Sequence, residues 1–153
     1  MNLVKMHLSF SRGDLMNIEL YPQYQLYLLT LNLLMLKEQI IPENCDEWCV
    51  NATIINRAYY SSLLFCELWL EDVKHFKPKA PWEFDEDEKR RGEHKQVRDA
   101  LFDFGQKIAQ KELSDLASLR KKADYNPFYD ISPKEVNSAI EHMENIFRQL
   151  EFQ

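Results

Sequence analysis

Two short stretches of this sequence hold side chains that could contact a phosphate or a carboxylate. In the first, the run Asn56-Arg57-Ala58-Tyr59-Tyr60, Arg57 lies about one helical turn from Tyr60 and Ser61. Its guanidinium group and the two hydroxyl groups together offer a fork of hydrogen-bond donors to an oxyanion. We therefore predict a ligand-binding group of Arg57, Tyr60 and Ser61. The alternative is a structural Arg57 that pairs with a buried acid and stacks on a tyrosine.

The second stretch runs from Leu119 to Pro127 and places Arg120, Asp124 and Tyr125 at the end of a predicted helix. Arg120 is a candidate for both ligand binding and catalysis, and Asp124 and Tyr125 are candidate catalytic residues. The simpler alternative is an ion pair on the helix surface, because Arg120 and Asp124 are four residues apart.

Histidine is the side chain whose ordinary pKa best suits proton transfer near neutral pH. Of the four histidines, only His94 lies where chemistry is expected, at the start of a predicted helix between Glu93 and Lys95. We predict His94 as a further candidate catalytic residue. An exposed histidine at a helix start, without a chemical role, is the alternative.

Metal and cofactor sites are not predicted. Cys45 and Cys49 could share a helical face, but no further ligands follow at the spacing of a zinc site. The Glu-x-x-His pairs of di-iron bundles do not occur, and three isolated glycines cannot form a phosphate-binding loop.

Composition indicates a single globular domain that spans residues 1–153. The net charge of -6 argues against broad, non-specific nucleic-acid binding, which depends on neutralising many phosphates. An odd number of cysteines without CxxC, and no recognisable leader, favour a cytoplasmic protein. The most apolar run, Leu26 to Leu36, is too short to span a membrane, so no membrane partner is expected.

Hydrophobic spacing predicts an all-α domain with five helices. They are expected at about 21–39, 46–74, 93–110, 112–123 and from Ser132-Pro133 to about 150. The first helix is apolar on most sides, which predicts heavy burial or a subunit interface. Residues 1–13 are expected to form a loose arm and residues 75–92 an exposed loop, with Trp82 and Phe84 packed against the bundle.

Three strings in order resemble the HEPN family (higher eukaryotes and prokaryotes nucleotide-binding). INRAYYSSLLFCELWL resembles its arginine–alanine–tyrosine–tyrosine helix, EHKQV the opening of the next helix, and SLRKKADYNPFYDIS the arginine–alanine–aspartate–tyrosine segment of an uncharacterised prokaryotic branch. The resemblance covers about residues 46–150. It implies an up-and-down bundle of four to five helices that forms a homodimer.

Many HEPN proteins are metal-independent endoribonucleases of toxin–antitoxin, phage-defence or CRISPR-linked systems, and others bind nucleotides or accompany nucleotidyltransferases. In the ribonucleases a histidine follows the arginine four to six residues later, and two such sets meet across the dimer. Here Arg120 matches the arginine, but Tyr125 stands at the histidine position. A tyrosine is a poor general base at neutral pH.

Three hypotheses follow for the function. The preferred one is a dimeric nucleotide- or RNA-binding partner protein of a toxin–antitoxin or defence system, acting beside a nucleotidyltransferase or another defence protein. The second is an active endoribonuclease toxin that uses Arg120 with Tyr125, Asp124 or His94. The third is a purely structural helical scaffold, in which Arg57 and Arg120 form buried ion pairs.

Overall fold

The computed structural model describes residues 22–40, 46–85, 92–126 and 130–151. These residues form five α-helices: α1 (Pro22–Ile40), α2 (Glu47–Lys74), α3 (Glu93–Asp103), α4 (Lys107–Tyr125) and α5 (Pro133–Glu151). A short 3-10 helix covers Pro81–Glu83, and the described ranges contain no strand. The all-α prediction is thereby confirmed. The arm predicted at residues 1–13 and positions 86–91 of the predicted loop lie outside the described residues.

Helix α2 is the centre of the bundle and packs against α1, α3, α4 and α5. Its apolar and small residues recur every three or four positions, which places them on one buried face. Ile54, Ala58 and Cys66 are completely buried there. Because α2 contacts all the other helices, its side chains can meet residues that are far away in the sequence.

Capping hydrogen bonds form at the starts of α2 and α5, where Asp46, and Ser132 with Glu135, are residue types that commonly cap helices. The Asp46 carboxylate accepts a hydrogen bond from the Trp48 amide at 3.0 Å. Before α5, the Ser132 hydroxyl oxygen accepts from the Glu135 amide at 3.3 Å, and the Glu135 carboxylate accepts from the Ser132 amide at 3.1 Å. This reciprocal pair gives the Ser132 amide a partner and adds a second acceptor for the Glu135 amide, which also donates to the Ser132 carbonyl at 3.0 Å.

The boundary between α3 and α4 differs from the prediction. The predicted third helix runs to residue 110, whereas α3 ends at Asp103 and α4 begins at Lys107. Gly105 has φ of 82°, a left-handed conformation that glycine adopts without steric cost and that ends the helix. Phe104 and Ile108 continue the helical spacing of apolar residues from Val97 and Leu101, but they are 40% and 56% exposed. Helix α4 therefore begins at Lys107, five residues before the predicted start at position 112.

Residues 75–85 leave α2 and run beside α3. The buried side chain of Gln96 accepts from the Lys79 amide at 2.8 Å and donates to the Lys79 carbonyl at 2.9 Å. Phe84 is half-buried, but Trp82 is 82% exposed, so the expected packing of Trp82 against the bundle is wrong. The segment is fixed through its backbone, and the indole is left facing solvent.

Helix α1 packs on α2 but leaves part of its apolar surface uncovered. Leu29, Met35 and Leu36 are 46%, 60% and 42% exposed. The prediction of heavy burial therefore holds for only one side of α1. Among the helices of the described ranges, none combines the length and apolar character required to cross a membrane.

Candidate functional site

The two motif stretches meet through the carboxylate of Asp124. Arg120 Nε lies 2.8 Å from Asp124 Oδ2, and both side chains are about one-fifth exposed. The other oxygen, Oδ1, accepts a hydrogen bond from Asn56 Nδ2 at 2.7 Å. The ion pair expected from the spacing of four therefore forms, and Asn56 connects it to α2.

Tyrosine rings of α2 support the guanidinium groups. The Arg120 Cζ atom lies 4.9 Å from the Tyr60 ring centroid and 5.3 Å from that of Tyr59. Arg57 approaches the Tyr60 ring at 5.7 Å and donates to Asn56 Oδ1 at 3.2 Å. Tyr60 thus contacts both predicted arginines, and a continuous series of polar contacts runs from Arg57 through Asn56 and Asp124 to Arg120.

His94 lies against the same two tyrosines. Its Nδ1 atom is 3.0 Å from the Tyr59 hydroxyl oxygen, and its ring meets both tyrosine rings edge-on. Burial, followed by the nearby charges of Arg120 and Arg98, lowers the pKa of His94. Burial raises the pKa of Tyr59, so the phenol keeps its proton. At neutral pH the imidazole is therefore neutral and can accept a proton.

An open cleft of about 700 Å³ lies beside these residues. We call it the cationic cleft, because Lys95 and Arg98 of α3 and Arg120 and Lys121 of α4 line it, together with Tyr59, Glu93, His94, Ser114 and Ser118. Four cations and the Glu93 carboxylate line it, and the Asp124 carboxylate is paired with Arg120. The cleft is thus locally positive although the chain carries a net charge of -6. Such a site favours an anionic ligand.

The other predicted site residues lie elsewhere. Ser61 is completely buried, and its hydroxyl donates to the Gln23 carbonyl of α1 at 3.0 Å. Tyr125 is 74% exposed and does not line the cleft. Arg57 lines a second, smaller groove of about 330 Å³ with Trp48. The structure thus brings Arg120, Asp124, Tyr60 and His94 together, and it places Ser61 and Tyr125 outside that group.

Sequence reasoning missed several residues of the cleft: Tyr59, Lys95, Arg98, Ser114, Ser118 and Lys121. The signal was present as helical spacing, because residues three and four positions apart share a helix face. Positions 114, 118 and 121 already lay on one face of the helix predicted at 112–123, but the spacing within one helix does not show which residues of another helix face it.

One further titratable group, Glu67, interacts electrostatically with Glu93 of the cleft wall. Burial, and then repulsion from Glu93, raises the pKa of Glu67 from 4.5 to about 7. In the part of the chain that the structure describes, no three histidine, cysteine or acidic side chains are grouped to hold a metal ion.

Comparisons of this chain with protein-family models, with curated proteins and with solved structures found no match. The resemblance to the HEPN family therefore rests on the three sequence strings alone.

Proposed function

We propose that this chain is a HEPN-type partner protein that binds the phosphate of a nucleotide or of an RNA end in the cationic cleft. One observation carries the proposal: four cations line a single cleft. Arg120 can present planar donors to a phosphate while Asp124 and the tyrosine rings hold its orientation.

The size and openness of the cleft suit a ligand of nucleotide size. Ligand pockets commonly enclose roughly 300–1,000 Å³, and the cationic cleft has about 700 Å³. Ser114 and Ser118 add hydroxyl oxygens on the α4 wall, although both hydroxyl protons are donated to backbone carbonyls of α4. Charge neutralisation by the cations is thus the main expected source of affinity.

The first experiment measures calorimetric binding of adenosine monophosphate and of a short RNA with a terminal phosphate. The double variant Lys95→Ala/Arg98→Ala should weaken binding about tenfold or more, because it removes two of the four cations. The matched control is Lys111→Ala/Lys134→Ala, which changes the net charge equally at exposed positions outside the cleft. Equal affinities of the two double variants would contradict the proposal.

A homodimer is part of the proposal. The exposed side chains of Leu29, Met35 and Leu36 on α1 support it, since apolar patches of this kind often mark interfaces. Sedimentation of the wild type should give a dimer, and Met35→Lys should shift it towards monomer. A role beside a nucleotidyltransferase or another defence protein, in the cytoplasm, rests on the three strings and the cysteine pattern.

A second candidate function is metal-independent endoribonuclease activity. The contact between Tyr59 and His94 beside Arg120 favours it, because it supplies the imidazole that Tyr125 cannot. His94 would take the proton of the RNA 2′-hydroxyl as that oxygen attacks the phosphorus. Arg120 would neutralise the charge of the phosphate as the 5′-oxygen leaves and takes a proton from solvent.

Cleavage of a labelled RNA in the presence of a chelator tests this candidate. His94→Gln and Arg120→Lys should each abolish cleavage. Tyr125→Phe should leave it unchanged, because Tyr125 lies outside the cleft. If the wild type binds RNA and leaves it intact, the chain is a binding protein and the endoribonuclease candidate is lost.

A further inference from the structure

Trp82 is the most exposed large apolar side chain in the part of the chain that the structure describes, at 82%. Tryptophan is mostly buried on average, because its indole gains much free energy on leaving water. Its backbone lies in the 3-10 helix Pro81–Glu83, where the fixed φ of Pro81 restricts the conformation of the turn.

The turn that presents Trp82 is held on both sides. Before it, both amide atoms of Gln96 bind the backbone of Lys79. Within it, the Ala80 amide donates to the Glu83 carboxylate, and the Lys79 ammonium lies 5.6 Å from the Phe84 ring centroid. The exposed indole therefore projects from an ordered turn. A ligand that contacts it need not order this backbone, so little conformational entropy is lost there on binding.

Trp82 lies next to the cationic cleft. A groove of about 780 Å³ is lined by Lys77, Lys79, Pro81 and Trp82. This groove and the cationic cleft share Gly92 and Glu93 in their walls, so the two depressions adjoin at the start of α3. A single extended ligand can reach both.

An aromatic face beside a row of cations is the arrangement that binds single-stranded nucleic acids, in which bases stack while cations neutralise the backbone. Lys77 and Lys79 continue the positive lining of the cleft towards Trp82. Two acids also line this groove: Glu83 accepts a hydrogen bond from the Ala80 amide, and Glu93 lies in the wall shared with the cationic cleft. A protein partner is less well matched, because the centres of protein interfaces are depleted in charged residues.

We propose that Trp82 stacks on a base of single-stranded RNA whose phosphate lies in the cationic cleft. This inference rests on the proposed function, since it assigns the substrate class and a second contact of the same site. The ligand runs along the start of α3, with its phosphate among Arg98, Arg120 and Lys121 and a neighbouring base on the indole.

Three variants test the stacking contact with a labelled RNA pentamer and with inorganic pyrophosphate, which has no base. Trp82→Ala should weaken binding of the pentamer about tenfold, whereas Trp82→Phe should weaken it by less because a ring remains. Neither should change the affinity for pyrophosphate. The matched control is Phe102→Ala, which removes an exposed ring that lines neither depression and should leave both affinities unchanged.

Fluorescence gives a second readout. Trp48 and Trp69 bury their indole nitrogens, so acrylamide should quench mainly the emission of Trp82. The pentamer should protect that emission from acrylamide, and pyrophosphate should not.

The outcomes separate the two proposals. Pyrophosphate binding, together with wild-type affinity of Trp82→Ala for the pentamer, would overturn the stacking contact and leave the proposed function standing. Absence of binding to either ligand would overturn both. If Trp82→Ala lost as much affinity for pyrophosphate as for the pentamer, Trp82 would support the fold of the cleft, and the stacking proposal would be wrong.

Discussion

Arg57 and Arg120 contact the same tyrosine ring from different surroundings. Arg120 lies in the cationic cleft with three other cations and His94. Arg57 lies in the smaller groove, where the remaining lining includes Trp48 and Thr53 but no other lysine or arginine. An arginine acquires a binding role from its neighbours, because several cations together attract an anion much more strongly than one does.

In this series of polar contacts, Arg120 binds Asp124 directly, whereas Arg57 is connected to Asp124 only through Asn56. Asp124 is bound by Arg120 through one oxygen and by Asn56 through the other. Arg57 in turn binds Asn56. Under the proposed function, Arg120 is therefore the ligand-contacting residue, and Arg57 is a positioning residue that acts through Asn56 and Asp124.

The largest expected effect is on ligand affinity in Arg120→Ala. Loss of a charge-assisted contact to phosphate should weaken nucleotide binding about 30-fold, or about 2 kcal/mol. Arg57→Ala should weaken nucleotide binding no more than about threefold, because this variant loses only a contact to Asn56, which positions Arg120 indirectly. Calorimetry of both variants checks the difference, with Arg120→Lys as a variant that retains the charge. Equal losses of affinity in the two alanine variants would show that Arg57 and Arg120 do not differ in ligand contact.

The next largest effect is expected on stability, in variants of Asn56, which connects Arg57 to the Arg120–Asp124 pair. Asn56→Asp places a carboxylate where the amide now donates to Asp124 at 2.7 Å. Repulsion and the lost hydrogen bond should lower the free energy of unfolding by about 2 kcal/mol, whereas Asn56→Ala should cost about 1 kcal/mol. Urea unfolding at pH 7 measures both. If Asn56→Asp were as stable as the wild type, Asn56 would not connect the two arginines.

A pH-dependent effect on stability is expected at Glu67, whose carboxylate is repelled by that of Glu93. Its pKa is raised to about 7 in the folded protein from 4.5, so the folded state holds a proton that the unfolded state has released. The contribution of Glu67 to the free energy of unfolding is fully present below pH 4.5 and is lost as the pH rises towards 7. His94 acts in the opposite sense, because its lowered pKa makes stability fall as the pH drops below about 6.5.

Glu67→Gln removes the first of these dependences. Because the carboxyl group is partly exposed and screened by solvent, the variant should gain only about 1 kcal/mol relative to wild type at pH 8. The gain should vanish at pH 4, where Glu67 is protonated in both states. A gain that is the same at pH 4 and pH 8 would mean that protonation is not its cause.

The contacts that could be predicted from the sequence are those between residues close together in the chain. The Ser132–Glu135 capping pair and the Arg120–Asp124 ion pair follow from spacings of three and four. The link from Asn56 to Asp124 joins residues 68 positions apart, and no local spacing indicates it. The break at Gly105 was missed because apolar residues continue at helical spacing through Phe104 and Ile108, which are exposed in the structure.

The smallest expected effect distinguishes a positioning Arg57 from the scaffold hypothesis. A buried ion pair that loses one partner costs roughly 3–5 kcal/mol. Arg57 is half-buried, and its described contacts are a neutral amide and an aromatic ring. Such contacts are worth about 1 kcal/mol together, so Arg57→Ala should lower the free energy of unfolding by no more than that.

Urea unfolding of Arg57→Ala beside Arg57→Lys provides the measurement. The lysine variant retains the charge over Tyr60 but loses the planar fork, and it should lie between the alanine variant and wild type. A loss above about 3 kcal/mol in Arg57→Ala would support the scaffold hypothesis for this residue. Arg57 would then stabilise the bundle directly, and the two arginines would differ in ligand contact alone.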